Sequence, residues 1–222
     1  VFAHYHVARE AEITTEANPD SAREERALRQ LRSAGFNRIS LGMQSANDEE
    51  LRLLAQTGTG VAHCPISNMK LSSGVARIPE MLCLGVPVGL AVDGSASNDG
   101  SSLLEELRVC YLLHRLTASA QAPSGYDVLK MATRGSARLL GRDDIGQLSV
   151  GKCADLFLVD SRRLELVGGL YDPKSVLGTV GLRGPVDYTV VNGRVTVREG
   201  RLVTVDEPVL AEKARACCDA YL

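Results

Sequence analysis

Strand and helix patterns alternate over roughly the first half of the chain, and this order is the strongest constraint on its fold. Segments rich in β-branched or apolar residues are separated by segments that begin at capping residues or end at glycine. The predicted strands are 12–16, 38–43, 60–64 and 86–92, and the predicted helices are 21–33, 47–58, 78–84 and 102–116. Repeated strand–helix order favours parallel strands joined by helical crossovers, so we predict an α/β fold.

The pattern changes after residue 120. A long amphipathic helix is predicted over 126–140, and Gly141 ends it. Short strands follow at 154–159, 187–191, 194–198 and 202–205, and Asn192-Gly193 is a strong β-hairpin sequence. We therefore predict a partial β/α (TIM-like) barrel over 1–141, a small β-sandwich portion over 142–206 and a terminal helix over 207–222.

Asp93 stands where the apolar segment 86–92 stops. A carboxylate at the end of a buried strand costs free energy unless it is paired or coordinated. In a β/α barrel the carboxyl ends of the strands form the mouth where chemistry takes place. Asp-Gly is also a common turn pair, which is the structural alternative. We favour a functional carboxylate, because Asn98 and Asp99 already make the nearby loop polar.

A divalent metal needs convergent donors, and the chain has four histidines. His4 and His6 have the spacing that places two imidazoles on one face of a strand, although such short matches are frequent by chance. His63 ends a predicted strand one β/α unit before Asp93, where a functional and a structural role both remain open. His114 lies inside a predicted helix, and we expect a structural or surface role for it.

Three polar residues follow His63 closely and belong to the same predicted mouth. Ser67 and Asn68 can donate and accept hydrogen bonds there, and Lys70 either contacts a substrate or is solvated. We therefore expect Ser67 and Asn68 to line the substrate site.

Composition excludes some classes of function. A net charge of −2 gives no basic surface for nucleic acid, and no apolar run reaches the roughly 20 residues needed to span a membrane. The six cysteines form no regular disulfide framework, and we expect no signal peptide before the globular pattern. We expect reduced thiols, four of them in apolar patterns that indicate burial, and a cytoplasmic protein.

Several motifs in order resemble the amidohydrolase superfamily, and within it the branch of 8-oxoguanine, guanine and chlorohydrolase-type deaminases. The segments that carry the resemblance are 63–74 (HCPISNMKLSSG), 89–99 (GLAVDGSASND), 131–141 (MATRGSARLLG), 145–155 (IGQLSVGKCAD) and 190–193 (VVNG). The resemblance is continuous from about residue 47 to residue 222.

This resemblance implies a β/α barrel, a small β-sandwich and a bound divalent metal, zinc or iron, that activates water. It assigns Asp93 as a metal ligand and proton carrier, and it places His63 near the substrate. His4 resembles a family histidine that is a catalytic acid/base next to the metal, so His4 is a second candidate ligand. The substrate would be a purine or a related nitrogen heterocycle.

Residues 12–46 depart from this pattern and resemble a segment of coproporphyrinogen-dehydrogenase-type radical SAM proteins, which suggests a chimera. Their CxxxCxxC cluster motif is absent, because no cysteine precedes Cys64. The other family ligands, a first-strand HxH, a further histidine and a glutamate, are absent too. We therefore expect weak metal binding and slow or no turnover.

Two hypotheses follow. The first is the C-terminal part of a metal-dependent deaminase, incomplete in this chain. The second is an inactive recombined half-barrel that associates with itself or another chain, because unpaired strands invite association.

Overall fold

The computed structural model describes residues 6–18, 22, 24–43 and 46–221. The chain divides into two compact units, one that ends at Asn47 and one that begins at Asp48. The domain boundaries expected near residues 141 and 206 stay predictions.

The first unit is a β–α–β segment. It contains β1 (Thr14–Ala17), α1 (Glu25–Ser33) and β2 (Arg38–Leu41), and the two strands pair in parallel with Thr14 opposite Arg38. All three elements were predicted from the sequence. A helix between two parallel strands is the usual crossover connection of an α/β fold.

The second unit begins with a further series of alternating helices and strands. In chain order these are α2 (Asp48–Thr57), β3 (Val61–His63), α3 (Pro65–Lys70), α4 (Ile78–Cys83), β4 (Val88–Leu90), α5 (Ser95–Asn98) and α6 (Leu103–Ala118). β3 and β4 pair in parallel, with His63 opposite Leu90, as the alternation predicted. Two short helices, α3 and α5, were not predicted. α3 begins at Pro65, a residue that suits the first turn of a helix as well as a loop.

A helical run predicted over 126–140 covers one edge of β4. It consists of α7 (Gly125–Lys130), a π-helical turn (Met131–Gly135) and α8 (Ser136–Leu139). The Ser136 hydroxyl donates to the Leu90 carbonyl (3.0 Å) and accepts from the Leu90 N–H (3.2 Å). A side chain therefore satisfies backbone groups that a further strand would otherwise pair.

Gly135 lets this run approach β4 closely. A Cβ at this position would collide with the backbone carbonyl of Val88, although the backbone φ of Gly135 is ordinary. The absence of a side chain is required by packing and not by conformation.

The chain continues with short turns and an antiparallel sheet. The sheet order is β5 (Leu156–Leu158), β6 (Tyr188–Val191), β7 (Arg194–Arg198) and β8 (Arg201–Leu202), with α9 (Val176–Thr179) between β5 and β6 and α10 (Glu207–Tyr221) at the end. Single 3-10 turns occur at Ser119–Gln121, Leu164–Leu166 and Gly169–Tyr171. Asn192 and Gly193 both have positive φ (47° and 77°), as the predicted two-residue hairpin turn demands.

The core of the second unit lies between β4, α4, α6 and α7. Its most buried apolar side chains are Leu51, Ile78, Met81, Val86, Val88, Leu90, Leu107, Cys110, Val128 and Met131. The expectation of four buried cysteines was wrong: only Cys110 is buried, and Cys83, Cys217 and Cys218 are exposed. All six thiols are free. Among the described helices, none is long and apolar enough to cross a membrane.

Candidate active site and the polar network beneath it

Asp93 lies three residues beyond the end of β4 and is held by two hydrogen bonds. The Ser67 hydroxyl donates to Asp93 Oδ2 (2.6 Å), and the Gly94 N–H donates to Asp93 Oδ1 (2.7 Å). Chiefly because of the Ser67 hydroxyl, and then the Gly94 N–H, the pKa of the Asp93 carboxyl is below its usual value. The side chain is thus an exposed, ionised carboxylate whose orientation is fixed on one side by a buried serine.

The backbone at Asp93 adopts an uncommon conformation. Its φ is +65°, a left-handed region that aspartate tolerates better than most residues and that glycine adopts freely. The strand therefore ends in a sharp change of direction that turns the carboxylate towards α3.

The structure brings together Ser67 and Asp93, two of the residues that the sequence assigned to one site, and their roles stay predictions. Ser67 is buried in α3, and Asn68 beside it is half-buried. Lys70, for which contact with a substrate was an open alternative, instead binds Asp99 (2.6 Å) and the Ala96 carbonyl (3.0 Å). Lys70 thus ties α3 to the loop that contains α5.

His63 lies at the end of β3, but its imidazole is buried. Only 2% of the residue is exposed, and His63 Nε2 lies 3.1 Å from His114 Nε2. Burial, and secondarily the neighbouring His114, lowers the pKa of His63 to about 3, so the ring is neutral at physiological pH. The expectation of a structural position for His114 agrees with its burial.

Sequence reasoning did not identify Glu106, whose buried carboxylate binds the backbone of α3 and the side chain of Asn98. It lies on α6 and is fully buried, with Oε2 accepting from the Ile66 N–H (3.1 Å) and Oε1 accepting from the Asn98 amide (2.5 Å). Asn98 in turn accepts from the Ser101 N–H (2.7 Å). Burial raises the pKa of Glu106, and these two donors oppose that effect. One sequence feature could have identified Glu106: it is an acidic residue on the same helical face as Leu103, Cys110 and His114.

His4, the second predicted ligand, lies outside the described residues. Within the described ranges, the one group of three convergent His, Cys, Asp or Glu donors is His63, Cys110 and His114, and Asp93 is not in it. A zinc site needs three or four protein donors. Asp93 fits as one ligand of a metal, but the described residues do not complete a site around it.

A model of the Amidohydrolase family matches residues 3–196. The chain is 48% identical over 168 residues to hydroxydechloroatrazine ethylaminohydrolase of Pseudomonas sp. (strain ADP), covering 74% of this chain and 35% of that protein. It is 43% identical over 176 residues to 8-oxoguanine deaminase of Pseudomonas aeruginosa, covering 79% of this chain and 39% of the relative. The chain therefore spans between a third and two fifths of the length of these relatives.

The solved structures of similar fold also include a hydrolase and a deaminase. The fold is similar to zinc-bound atrazine chlorohydrolase of Arthrobacter aurescens TC1, with a TM-score of 0.77, 32% identity and coverage of 92% of this chain and 48% of the other. It is also similar to a zinc-bound adenosine deaminase from Xanthomonas campestris, with a TM-score of 0.78, 32% identity and coverage of 90% and 47%. These neighbours confirm the mixed α/β fold and support a divalent metal.

These findings also bear on two other hypotheses, a radical SAM origin for residues 12–46 and an inactive recombined fragment. The family model runs across residues 12–46, and the comparisons lend no support to a radical SAM origin for that segment. Since the relatives are hydrolytic enzymes, they do not favour an inactive recombined fragment either.

Proposed function

Because the chain belongs to the amidohydrolase family, we propose that it carries the Asp93 part of the site of a hydrolytic deaminase acting on a purine or related nitrogen heterocycle. The observation that carries this proposal is the Ser67–Asp93 hydrogen bond beyond the end of β4. It fixes an ionised carboxylate beside the carboxyl end of a parallel strand pair, where β/α enzymes place their chemistry. We further propose that the α/β elements form part of a barrel and that β5–β8 belong to a small sandwich.

The net reaction replaces an exocyclic amino group by a carbonyl, with water consumed and ammonia released. In this proposal Asp93 accepts a proton from the attacking water and passes it to the departing nitrogen. The lowered pKa of Asp93 keeps it in the accepting form at neutral pH. Each Asp93 oxygen accepts one hydrogen bond, Oδ2 from the Ser67 hydroxyl and Oδ1 from the Gly94 N–H, and keeps a second lone pair that can take the proton.

Substrate contacts are assigned to residues around this carboxylate. Asn68, half-buried on α3, would hydrogen-bond the ring heteroatoms, and His63 would form part of the floor beneath the mouth. His4 remains a proposed acid/base and metal neighbour. A bound divalent metal, zinc or iron, would supply a water of lowered pKa. Asp93 and His4 are the proposed ligands from this chain, and the described residues offer no further group of donors that includes Asp93.

Ammonia release tests the proposal. The full chain, supplied with zinc or iron, is incubated with guanine, 8-oxoguanine and isoguanine, and ammonia is measured over time. Because the ligand set is incomplete in the described residues, we expect slow release from at least one ring, reduced about 100-fold or more in Asp93→Asn. Asp99→Asn is the matched control, since Asp99 is a neighbouring exposed carboxylate that binds Lys70 instead. Equal activity in Asp93→Asn and the wild type would remove Asp93 from the mechanism.

A further inference from the structure

Three potential metal donors meet in the core, in a group that does not contain Asp93. His63 comes from the end of β3, while Cys110 and His114 lie four residues apart on α6 and therefore on one helical face. All three side chains are buried, with 2%, 0% and 1% exposure respectively. Their donor atoms lie within 4.8 Å of one another.

The spacing of the donors is close to that of a tetrahedral site. Two imidazole nitrogens about 2.05 Å from a common zinc ion are about 3.3 Å apart. The observed distance between His63 Nε2 and His114 Nε2 is 3.1 Å. A thiolate sulfur in the same site lies about 3.6 Å from each nitrogen, whereas the donor atoms here lie within 4.8 Å of one another, so Cys110 needs a side-chain adjustment of about 1.2 Å at most.

The pair of histidines is not fully satisfied by the contact between them. Whichever ring donates across the 3.1 Å contact, His114 Nδ1 is buried without a hydrogen-bond partner among the described residues. A buried imidazole pair held only by one mutual hydrogen bond is a costly way to fill a core. The site proposed below uses the two facing Nε2 atoms and not this Nδ1, so that site is supported by the convergence and burial of the three donors.

The charge balance also fits a divalent cation. Both oxygens of the buried Glu106 accept hydrogen bonds, which is the pattern of an ionised carboxylate, and Glu106 lies one helical turn before Cys110. A thiolate at Cys110 together with Glu106 supplies two negative charges to one cation. Burial raises the pKa of the Cys110 thiol to about 12, so metal binding has to release its proton to solvent as the sulfur–metal bond forms.

We propose that His63, Cys110 and His114 form a buried binding site for a thiophilic divalent cation of the zinc class, with a fourth position for water. Its donor set, two imidazoles and one thiolate, suits zinc. The site shares His63 with the floor proposed beneath the Asp93 mouth, but its donor group does not contain Asp93 and it does not depend on the deaminase proposal. Because its ligands come from both β3 and α6, a bound cation would fasten the strand to the helix.

Cobalt(II) titration of metal-free protein tests this site, since thiolate ligation produces an intense charge-transfer absorption in the near ultraviolet. The exposed Cys83, Cys217 and Cys218 are first replaced by serine, so that they cannot bind the probe. In this background we expect the band to saturate at one cobalt per chain. Absence of the band would overturn the proposal.

Two cysteine variants then identify the sulfur. Cys110→Ser should abolish the band, whereas the matched control Cys64→Ser, at a half-buried cysteine next to His63, should retain it. Asp93→Asn should also retain it, which separates this site from the proposed catalytic one. A band that survives in Cys110→Ser overturns the proposal, and so does one that vanishes in Asp93→Asn.

A second measurement covers the case in which Cys110→Ser does not fold, as judged by far-ultraviolet circular dichroism. X-ray absorption of the zinc-loaded background protein should show one sulfur at about 2.3 Å and at least two imidazoles in the first shell. A first shell with no sulfur contradicts the assignment, whatever the fate of the variant.

Discussion

Replacing Glu106 should destabilise the second unit strongly, because two donors depend on its carboxylate. Glu106→Ala leaves the Ile66 N–H and the Asn98 amide without their acceptor in a buried setting. Hydrogen bonds to a charged group contribute about 1.5–3 kcal/mol each, so we expect the free energy of unfolding to fall by about 3–5 kcal/mol. Glu106→Gln preserves the shape and one acceptor oxygen, and we expect a smaller loss of about 1–2 kcal/mol.

The assay is equilibrium unfolding in urea followed by far-ultraviolet circular dichroism. With an m-value of about 1–3 kcal/mol/M, Glu106→Ala should lower the midpoint by about 1 M or more. Glu105→Ala is the matched control, since Glu105 is the adjacent exposed acid in the first turn of α6 and should cost at most about 1 kcal/mol. If Glu106→Ala were no less stable than Glu105→Ala, the network assigned to Glu106 would be wrong.

Further predictions concern pH, packing and the Asp93 carboxyl. In metal-free protein, burial holds the pKa of His63 near 3 against 6.5 in the unfolded chain, so the unfolded chain takes up the proton first. The free energy of unfolding should thus fall as pH drops from about 6.5 towards 3, by about 1.4 kcal/mol per pH unit, and urea midpoints for His63→Gln should flatten this dependence. Gly135→Ala should cost about 3 kcal/mol or more through its collision with the backbone of β4, whereas Gly168→Ala, where a Cβ meets nothing within 4 Å, should leave the midpoint nearly unchanged; equal midpoints would refute the packing argument. Ser67→Ala should raise the pKa of Asp93, measured by carboxyl-carbon NMR, and an unchanged titration would show that the hydrogen bond does not set it.

The sequence predicted the local elements well and the buried polar network poorly. The parallel pairing of β3 with β4 and the hairpin at Asn192-Gly193 follow from local periodicity and turn chemistry, which act over a few residues. The association of Ser67 with Asp93 was also expected, because strand ends that are neighbours in a parallel sheet meet at one edge.

Contacts between distant helix and strand residues could not be predicted in this way. His63 and His114 are separated by 51 positions, and Glu106 lies 40 positions from Ile66. Each residue looks ordinary in its own segment, and its partner is determined only when α6 packs beneath β3 and α3. The same limit explains why α3 was not predicted, since Pro65 is compatible with both a helix and a loop.

Because the backbone at Asp93 is left-handed, thermal stability and catalysis favour different residues at this position. Glycine would adopt a φ of +65° without steric penalty, so once Ser67 is replaced by a residue that needs no acceptor, directed evolution for heat tolerance alone should enrich glycine there. Variants with glycine at residue 93 would keep the left-handed backbone conformation and lose the carboxylate. A library sorted first for thermal survival and then for ammonia release would therefore split at residue 93 into two incompatible populations.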